Sequence, residues 1–338
     1  MADITIKDIA RLANVSPAAV SYVINDRPGV SPETREHIRR IMADNGYTPS
    51  LTSRKLKLHR SFNIHVVIGS VHVAFDDLFY NSAIERMMQV CNENGYSLVL
   101  SDTARFEHSS LHRAILQKDV DGVVFLQDVV SEAVAHLQEA GIPYVVLDAH
   151  KLSPHHNSVY CDYGEAAGAA VNHLLEQGHR RIGLVGVDRI PEFFEATRAG
   201  YTATLSSAEI APKPEWVHPC PDDRSLPDDL CDRLRAAQLT AVVCATDLLA
   251  VNLMQQLQKK GIPVPEALSV CGMDDVLIAR YCTPTLTTVE IDKQQMGEAA
   301  IRLLLDMLDK KRPTTGQSLC IHSTAVVRRD SVAPLHQP

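Results

Sequence analysis

This 338-residue sequence lacks most of the features that mark membrane and secreted proteins. No apolar run approaches the roughly 18 residues that a membrane-spanning helix requires. The N-terminus, Met-Ala-Asp-Ile-Thr-Ile-Lys, lacks the charged-then-apolar layout of a signal peptide. We therefore expect a cytoplasmic protein.

Metal-binding patterns are also missing. The eight cysteines are scattered without any Cys-x-x-Cys pair, so we expect reduced, mostly buried thiols and no zinc site. His150, His155, His156 and Cys161 lie close together in sequence, but their irregular spacing favours a solvated loop. We predict no metal and no cofactor.

Catalytic signatures are equally scarce. No Gly-x-Ser-x-Gly, phosphate-binding loop or Gly-x-Gly-x-x-Gly accompanies the predicted strands. The adjacent Asp274 and Asp275 resemble an acid/base pair, but neighbouring residues at a strand end usually point apart. We predict that the chain is not an enzyme, with a sugar-modifying α/β enzyme and a pure binding protein as the alternatives.

Charge is distributed unevenly along the chain. Residues 1–60 contain ten basic and six acidic residues, a net charge of +4, whereas the whole chain carries −8, which leaves −12 for residues 61–338. A basic head on an acidic body favours a local site for a polyanion such as DNA.

The head has the pattern of a helix-turn-helix. Thr5 is placed to cap a first short helix, and Ser16 followed by Pro17 predicts the start of a second helix that runs to about Asn25. Ser31 opens a third helix that ends at Gly46. This arrangement places a second helix in the major groove of DNA.

From Phe62 onwards, short apolar strands alternate with helices, which is typical of parallel α/β sheets. The alternation recurs after about residue 166, interrupted by a Pro-rich stretch, 211–228, that we expect to be irregular. We predict two α/β units in series, each with its own sheet. Ligands of such sheets bind outside the carboxyl ends of the strands, so two units facing each other would form a cleft.

Several separated motifs, in order, resemble the lactose/galactose repressor family of bacterial transcription regulators across nearly the whole chain. The motifs are Thr5–Ala10, Val15-Ser16, Val20-Ser21, Val23–Asn25, Val30–Arg35, Gly46–Ser50, Gly178–Ile182, Thr246-Asp247, Gly272–Asp275, Pro284–Val289 and Val326–Ser331.

The resemblance implies a fold with three parts. These are an all-α headpiece over 1–49, a hinge helix over 50–60, and an effector-binding and dimerisation body over 61–338 that resembles periplasmic sugar-binding proteins. The N-subdomain of the body would comprise about 61–160 and 291–320, and the C-subdomain about 161–290 and 321–338.

The resemblance also implies roles for residues of the head. Pro17, Ala18 and Tyr22 match positions that read bases, although only Tyr22 offers a polar group. Leu56 matches a residue that wedges into the minor groove and kinks the duplex, beside Lys57. The remaining matched DNA-binding positions are Thr5, Ser16, Ser21, Asn25, Ser31 and Thr34.

In the body, the resemblance implies an effector site that contains two carboxylates, one arginine and several aromatic rings. The matched positions are Phe79, Tyr80, Asp148, Tyr160, Arg198, Thr246 and Asp274. Ile291 and Lys293 depart from the Gln and aromatic residues found in sugar-responding relatives, which weakens the case for a simple galactoside.

The sequence thus predicts a homodimeric repressor that binds a pseudo-palindromic operator in double-stranded DNA. A small molecule in the cleft, a sugar or sugar derivative, would change its operator affinity. A nucleobase-responsive regulator of the same family is the alternative.

Overall fold

The computed structural model describes residues 4–24, 27–47, 60–68, 78–103, 105–309, 316–322 and 324–335. The chain divides into two compact units, Met1–Phe62 and Asn63–Pro338. Of the predicted hinge segment, only Arg60 lies within the described residues.

In its described residues, the first unit is a bundle of three short helices around a small apolar core. Its centre is formed by Ile9, Val20 and Ile38, whose side chains are fully buried. Asn14 adopts a left-handed conformation in the turn between the first two helices, which asparagine tolerates. The helices are α1 (Ile6–Leu12), α2 (Pro17–Ile24) and α3 (Pro32–Asp44).

Each helix begins where the capping residues predict. The Thr5 hydroxyl accepts the Asp8 N–H and the Asp8 carboxylate accepts the Thr5 N–H, which completes a capping box. Ser16 accepts the Ala19 N–H at 3.1 Å, and Ser31 caps α3 in the same way. The predicted helix-turn-helix is confirmed.

Among the described residues, the second unit contains two six-stranded sheets, which confirms the prediction of two α/β units, each with its own sheet. Their strand orders are β2-β1-β3-β4-β5-β11 and β7-β6-β8-β9-β10-β12. Every pairing is parallel except that of β10 with β12. The strands are β1 (Asn63–Ile68), β2 (Ser97–Asp102), β3 (Gly122–Leu126), β4 (Tyr144–Leu147), β5 (Ser158–Cys161), β6 (Ile182–Val187), β7 (Val217–Cys220), β8 (Ala241–Cys244), β9 (Ser269–Asp274), β10 (Thr287–Glu290), β11 (Ser318–Ile321) and β12 (Val326–Val327).

Helices cover the sheets, and the central strands β4 and β8 are therefore buried along their whole length. The helices of the body are α4 (Leu78–Glu93), α5 (Ser110–Leu116), α6 (Ser131–Glu139), α7 (Tyr163–Glu176), α8 (Pro191–Ser207), α9 (Leu230–Ala236), α10 (Asp247–Lys259), α11 (Ile278–Tyr281) and α12 (Lys293–Leu308).

The chain passes between the two sheets three times, after β5, after β10 and after β11. We call the part built on the first sheet, β1–β5 and β11 with α4–α6 and α12, the N-subdomain. The part built on the second sheet, β6–β10 and β12 with α7–α11, is the C-subdomain.

One expectation about the C-subdomain was wrong. The Pro-rich stretch 211–228 is not irregular throughout, because it contains a short 3₁₀ turn and β7. Strand β7 accommodates Pro219 since it pairs only with β6 at the edge of the sheet.

Helices α7 and α8 pack unusually closely within the C-subdomain. Gly164 and Gly200 meet at their crossing, and a Cβ atom on Gly200 would lie 1.9 Å from the Gly164 carbonyl oxygen. The two backbones can approach this closely because Gly200 carries no side chain.

Candidate functional site

The face of α2 that is predicted to read bases is open to solvent. Pro17 and Ala18 are exposed, and the Tyr22 side chain is 40% exposed. The turn after α2 passes directly against the Tyr22 ring at Gly29, which has a left-handed φ of 114°. A Cβ atom on Gly29 would lie 3.2 Å from that ring. The ring is therefore held in place while its remaining surface faces outward.

The other predicted DNA-binding residues lie mainly at helix starts. Thr5 and Ser16 are exposed caps, and the Ser31 hydroxyl is 2.8 Å from the Thr34 hydroxyl. A serine that accepts a capping bond, such as Ser16, keeps its own proton for donation to a phosphate oxygen. Ser21 is half-buried, whereas Asn25, Leu56 and Lys57 lie outside the described residues.

In the body, five of the seven predicted effector residues surround one cavity of about 370 Å³. They are Phe79, Tyr80 and Asp148 of the N-subdomain, and Thr246 and Asp274 of the C-subdomain. The rest of the lining is formed by Leu78, Gln127, His150, Tyr163, Val187, Arg189, Ile190, Phe193, Asp222, Asp223, Arg224, Leu248 and Val276. This cavity, which we call the cleft, lies where strands of both sheets end.

A larger and more open groove of about 650 Å³ runs between α7, α8 and the final segment of the C-subdomain. It contains none of the predicted effector residues. The cleft is the candidate ligand site, because polar and aromatic groups from both subdomains converge there, as in most small-molecule sites.

Asp148 is the centre of a hydrogen-bond network in the cleft. Its carboxylate accepts the hydroxyls of Tyr80 and Tyr163, each at 2.6 Å, and the His150 Nε2 atom is 3.6 Å away. The Asp148 residue is only 2% exposed. A buried carboxylate needs such donors, so Asp148 positions the two tyrosines at the cavity wall.

Aromatic side chains form a second cluster in the same wall. The rings of Tyr163 and Phe193 are edge-to-face at 4.6 Å, and His150 contacts both at 5.5 and 5.3 Å. Phe79 lies edge-on to Tyr80 at 5.1 Å. Such rings offer flat apolar surface for a sugar face or a planar base.

Lys293, one of the two departures noted in the sequence, lies buried beside the cleft. Its ammonium group donates to the backbone carbonyls of Asp274 and Ile291, and it is 5.7 Å from the centre of the Phe79 ring. Lys293 begins α12 in the N-subdomain, and Asp274 ends β9 in the C-subdomain. The lysine thus connects the two subdomains at the cleft.

Beneath the cleft lies a carboxylate that sequence reasoning missed as a functional residue. Asp247 is fully buried, and it accepts the Thr288 hydroxyl at 2.5 Å and the Val276 N–H at 2.8 Å. Burial raises the pKa of Asp247 to about 7, which the two hydrogen bonds and the charge of Lys293 partly oppose. Val276 lines the cavity, so Asp247 supports its wall.

The backbone at the cleft edge is also distinctive. Gln127, Asp148 and Asp274, which lie at or just after the ends of β3, β4 and β9, all have positive φ angles of 65°, 61° and 124°. These conformations favour glycine, yet each position carries a polar side chain that lines the cavity.

Two predicted effector residues lie away from the cleft. Tyr160 is on β5, where its hydroxyl interacts with Cys320 of the neighbouring strand β11. Arg198 is half-exposed on α8 and pairs with Glu195 in the same helix. Phe193 faces the cavity. Arg198 lies five residues later in the same helix, so its side chain points about 140° away from the direction of Phe193.

Arg189 and Arg224 supply the guanidinium groups of the lining instead, and both were missed together with His150, Tyr163 and Phe193. Arg189 was accessible to sequence reasoning, because it follows the end of β6 just as Asp148 follows β4. Tyr163 and Phe193 carried no comparable signal, since aromatic residues at helix starts usually pack in the core.

Within the described ranges, no group of three or more His, Cys, Asp or Glu side chains is arranged to hold a metal ion. No helix in the same ranges is long and apolar enough to cross a membrane.

Comparison with known proteins matches both units. Residues 5–50 match the family of bacterial regulatory proteins of the lacI type, and residues 171–332 match the periplasmic binding protein-like domain. The chain is 31% identical to the ribose operon repressor of Haemophilus influenzae, over 98% of this chain and 99% of that protein.

Solved structures agree with this result. The complex of the transcriptional regulator CelR with cellobiose is 26% identical and has a TM-score of 0.67 over 97% of this chain and 99% of its own. The Lac repressor dimer bound to operator and the anti-inducer ONPF shares the fold, with 22% identity and a TM-score of 0.73 over 98% of this chain and 100% of its own. The chain therefore belongs to the lacI family of bacterial regulatory proteins, and it is a ligand-responsive, DNA-binding repressor.

Proposed function

We propose that the effector of this repressor is a small polyhydroxylated molecule, a sugar or sugar derivative, bound in the cleft. The carrying observation is the convergence of Phe79, Tyr80, Thr246 and Asp274 from both subdomains on one cavity. Asp274 and the tyrosine hydroxyls suit ligand hydroxyls, while Phe79 suits an apolar sugar face. The ribose operon repressor and the cellobiose complex support this ligand class.

Effector binding is tested by thermal denaturation of the full chain with D-ribose, cellobiose and adenine. A ligand that binds only the folded state raises the unfolding temperature, and Asp274→Ala should abolish that rise. A rise with adenine alone would favour the nucleobase alternative. Turnover of a sugar would instead indicate an enzyme, whereas we propose binding without conversion.

We propose that α2 reads the operator through Tyr22, Pro17 and Ala18, and that hydroxyls at the helix starts, such as Ser16, contact phosphates. The exposed Tyr22 ring, held by the turn at Gly29, supports this assignment. Leu56 and Lys57 are proposed to enter the minor groove. Because these base contacts offer few hydrogen bonds, most of the operator affinity would come from phosphate contacts. The affinity would therefore depend on the salt concentration.

Tyr22→Ala is expected to weaken binding to the DNA upstream of the protein's own gene by roughly 5- to 150-fold, since losing the readout of one base pair typically costs about 1–3 kcal/mol. Binding to a scrambled duplex should change little. Fluorescence anisotropy across a salt series measures both, with Tyr22→Phe separating the hydroxyl from the ring. An equal loss on both duplexes would contradict a base-reading role, and salt-independent binding would contradict the phosphate contacts.

We propose that the protein is a homodimer that binds a pseudo-palindromic operator with one headpiece on each half-site. An exposed apolar face on the C-subdomain supports this. The side chains of Leu277 and Tyr281 are 59% and 78% exposed, and four-residue spacing places them on the same side of the chain at α11. The Lac repressor dimer has the same fold.

Tyr281→Asp is expected to convert the dimer to a monomer, because it places a charge in an apolar interface. Sedimentation or light scattering measures the mass, and operator affinity should fall with it. Leu152→Asp is the control, because it places the same charge at an exposed apolar residue outside α11. It should leave the dimer intact. If the Tyr281→Asp protein remains a dimer, the dimer interface lies elsewhere on the surface.

A further inference from the structure

The cleft contains a direct connection between the two subdomains that centres on Tyr163. This residue begins α7 in the C-subdomain, and its hydroxyl donates at 2.6 Å to Asp148, which follows β4 in the N-subdomain. Tyr80, on the N-subdomain side, donates to the other oxygen of the same carboxylate. One buried carboxylate therefore receives a hydroxyl from each subdomain.

Ring contacts reinforce the same connection. Phe193 of the C-subdomain contacts Tyr163, while His150 of the N-subdomain contacts both rings. The His150 Nδ1 atom is buried and has no hydrogen-bond partner within the described part of the chain. The imidazole is thus held by ring packing across the subdomains and by its proximity to Asp148.

We infer that Tyr163 is a positioning residue, a latch whose bond to Asp148 holds the two subdomains in the arrangement seen here. The bond is short, buried and made to a carboxylate, and these conditions give the strongest class of protein hydrogen bond. It lies in the wall of the cavity, so a ligand that enters the cleft meets the latch directly. A ligand hydroxyl that reaches the Asp148 oxygen held by Tyr163 competes with Tyr163 for it, whereas the other oxygen is held by Tyr80.

The consequence is a physical link between the cleft and the angle of the subdomains. Displacing Tyr163 from Asp148 removes a bond that joins the two subdomains in the arrangement seen here. A ligand shifts an equilibrium between two arrangements only through such differential contacts. The expected effect of the latch on operator affinity rests on the proposed function. Its effect on the two subdomains does not.

Tyr163→Phe tests the latch, because it removes the hydroxyl and keeps the ring. The matched control is Tyr201→Phe, whose hydroxyl bonds the Ile182 carbonyl at 2.8 Å inside the C-subdomain. Hydrogen–deuterium exchange of the full chain without ligand is the readout. We expect exchange to accelerate roughly ten-fold or more in the two segments that contain the protected amides of Asp148 and Asp188, which donate to the Val159 and Cys220 carbonyls on the two sides of the cleft, in Tyr163→Phe only.

Exchange that is unchanged, or that accelerates only within α7, would overturn the latch. Asp148→Asn is a second variant that weakens the same bond, and it should accelerate the same two segments. Operator affinity is measured in parallel, and Tyr163→Phe should change it several-fold while Tyr201→Phe does not. Failure of the wild-type chain to bind DNA would refute the proposed DNA contacts and leave the exchange result to decide the latch.

Discussion

Gly200→Ala is expected to destabilise the body by about 2–3 kcal/mol, since overpacking of this kind typically costs 1–3 kcal/mol and the surroundings here are rigid. The added Cβ would lie 1.9 Å from the Gly164 carbonyl oxygen and within 2.7 Å of its carbonyl carbon and Cα. All three atoms belong to backbone, so no side chain can rotate away. Alanine normally stabilises a helix by about 1 kcal/mol relative to glycine. The steric cost of the added Cβ must therefore exceed this gain for the substitution to destabilise the protein.

Thermal unfolding followed by circular dichroism should show a fall of roughly 5–10 °C for Gly200→Ala. Ser207→Ala, on the exposed surface of the same helix, is the control and should change the free energy of unfolding by less than about 0.5 kcal/mol. An unfolding temperature at or above that of the wild type would mean that α7 and α8 can separate without loss.

Asp247→Asn should become progressively more stable relative to the wild type as the pH rises from 5 to 8. Burial raises the pKa of Asp247 in the folded state to about 7, well above the ordinary value of 3.8. The folded state then binds a proton that the unfolded state has lost, so the stability that Asp247 contributes is present below pH 3.8 and is lost as the pH rises through 7. Asparagine does not titrate and avoids this loss.

The difference between the two proteins should change by about 2–3 kcal/mol between pH 5 and pH 7, from about 1.36 kcal/mol for each of the two pH units below the folded pKa, and should level off above pH 7. Asparagine can accept the Val276 N–H and donate one N–H to the Thr288 hydroxyl, so both of these contacts are kept. Urea unfolding at pH 5, 6, 7 and 8 measures the difference. A difference independent of pH would show that Asp247 is ionised throughout, with Lys293 as its counter-charge.

Local signals in the sequence predicted the headpiece well. Thr5, Ser16-Pro17 and Ser31 each lie at the start of a helix, because capping depends on residues only three positions apart. The two parallel sheets were likewise predictable from alternating strands and helices. The alternation by itself did not predict the three passages between the sheets, which only the family resemblance implied, because they depend on which distant strands pair, as β5 does with β11.

The cleft was predictable in part. Asp148, Thr246 and Asp274 follow strand ends, and a parallel sheet brings those ends to one edge. Arg198 was placed in the site by family resemblance alone, and its position along α8 turns it away. Tyr163 and Phe193 reach the cavity through the packing of helices from different parts of the chain, and no local pattern encodes that packing.

The left-handed residues at the cleft edge bear on how this protein can be stabilised. Glycine at 127, 148 or 274 would relieve backbone strain, of order 1–3 kcal/mol for each residue, but it would delete a side chain from the cavity wall. A stabilising screen that ignores ligand response should therefore enrich glycine at 127 and 274, whereas glycine at 148 would also remove the buried carboxylate that accepts the Tyr80 and Tyr163 hydroxyls. The cleft edge is the part of the body where stability and effector recognition impose opposite demands on the same residue.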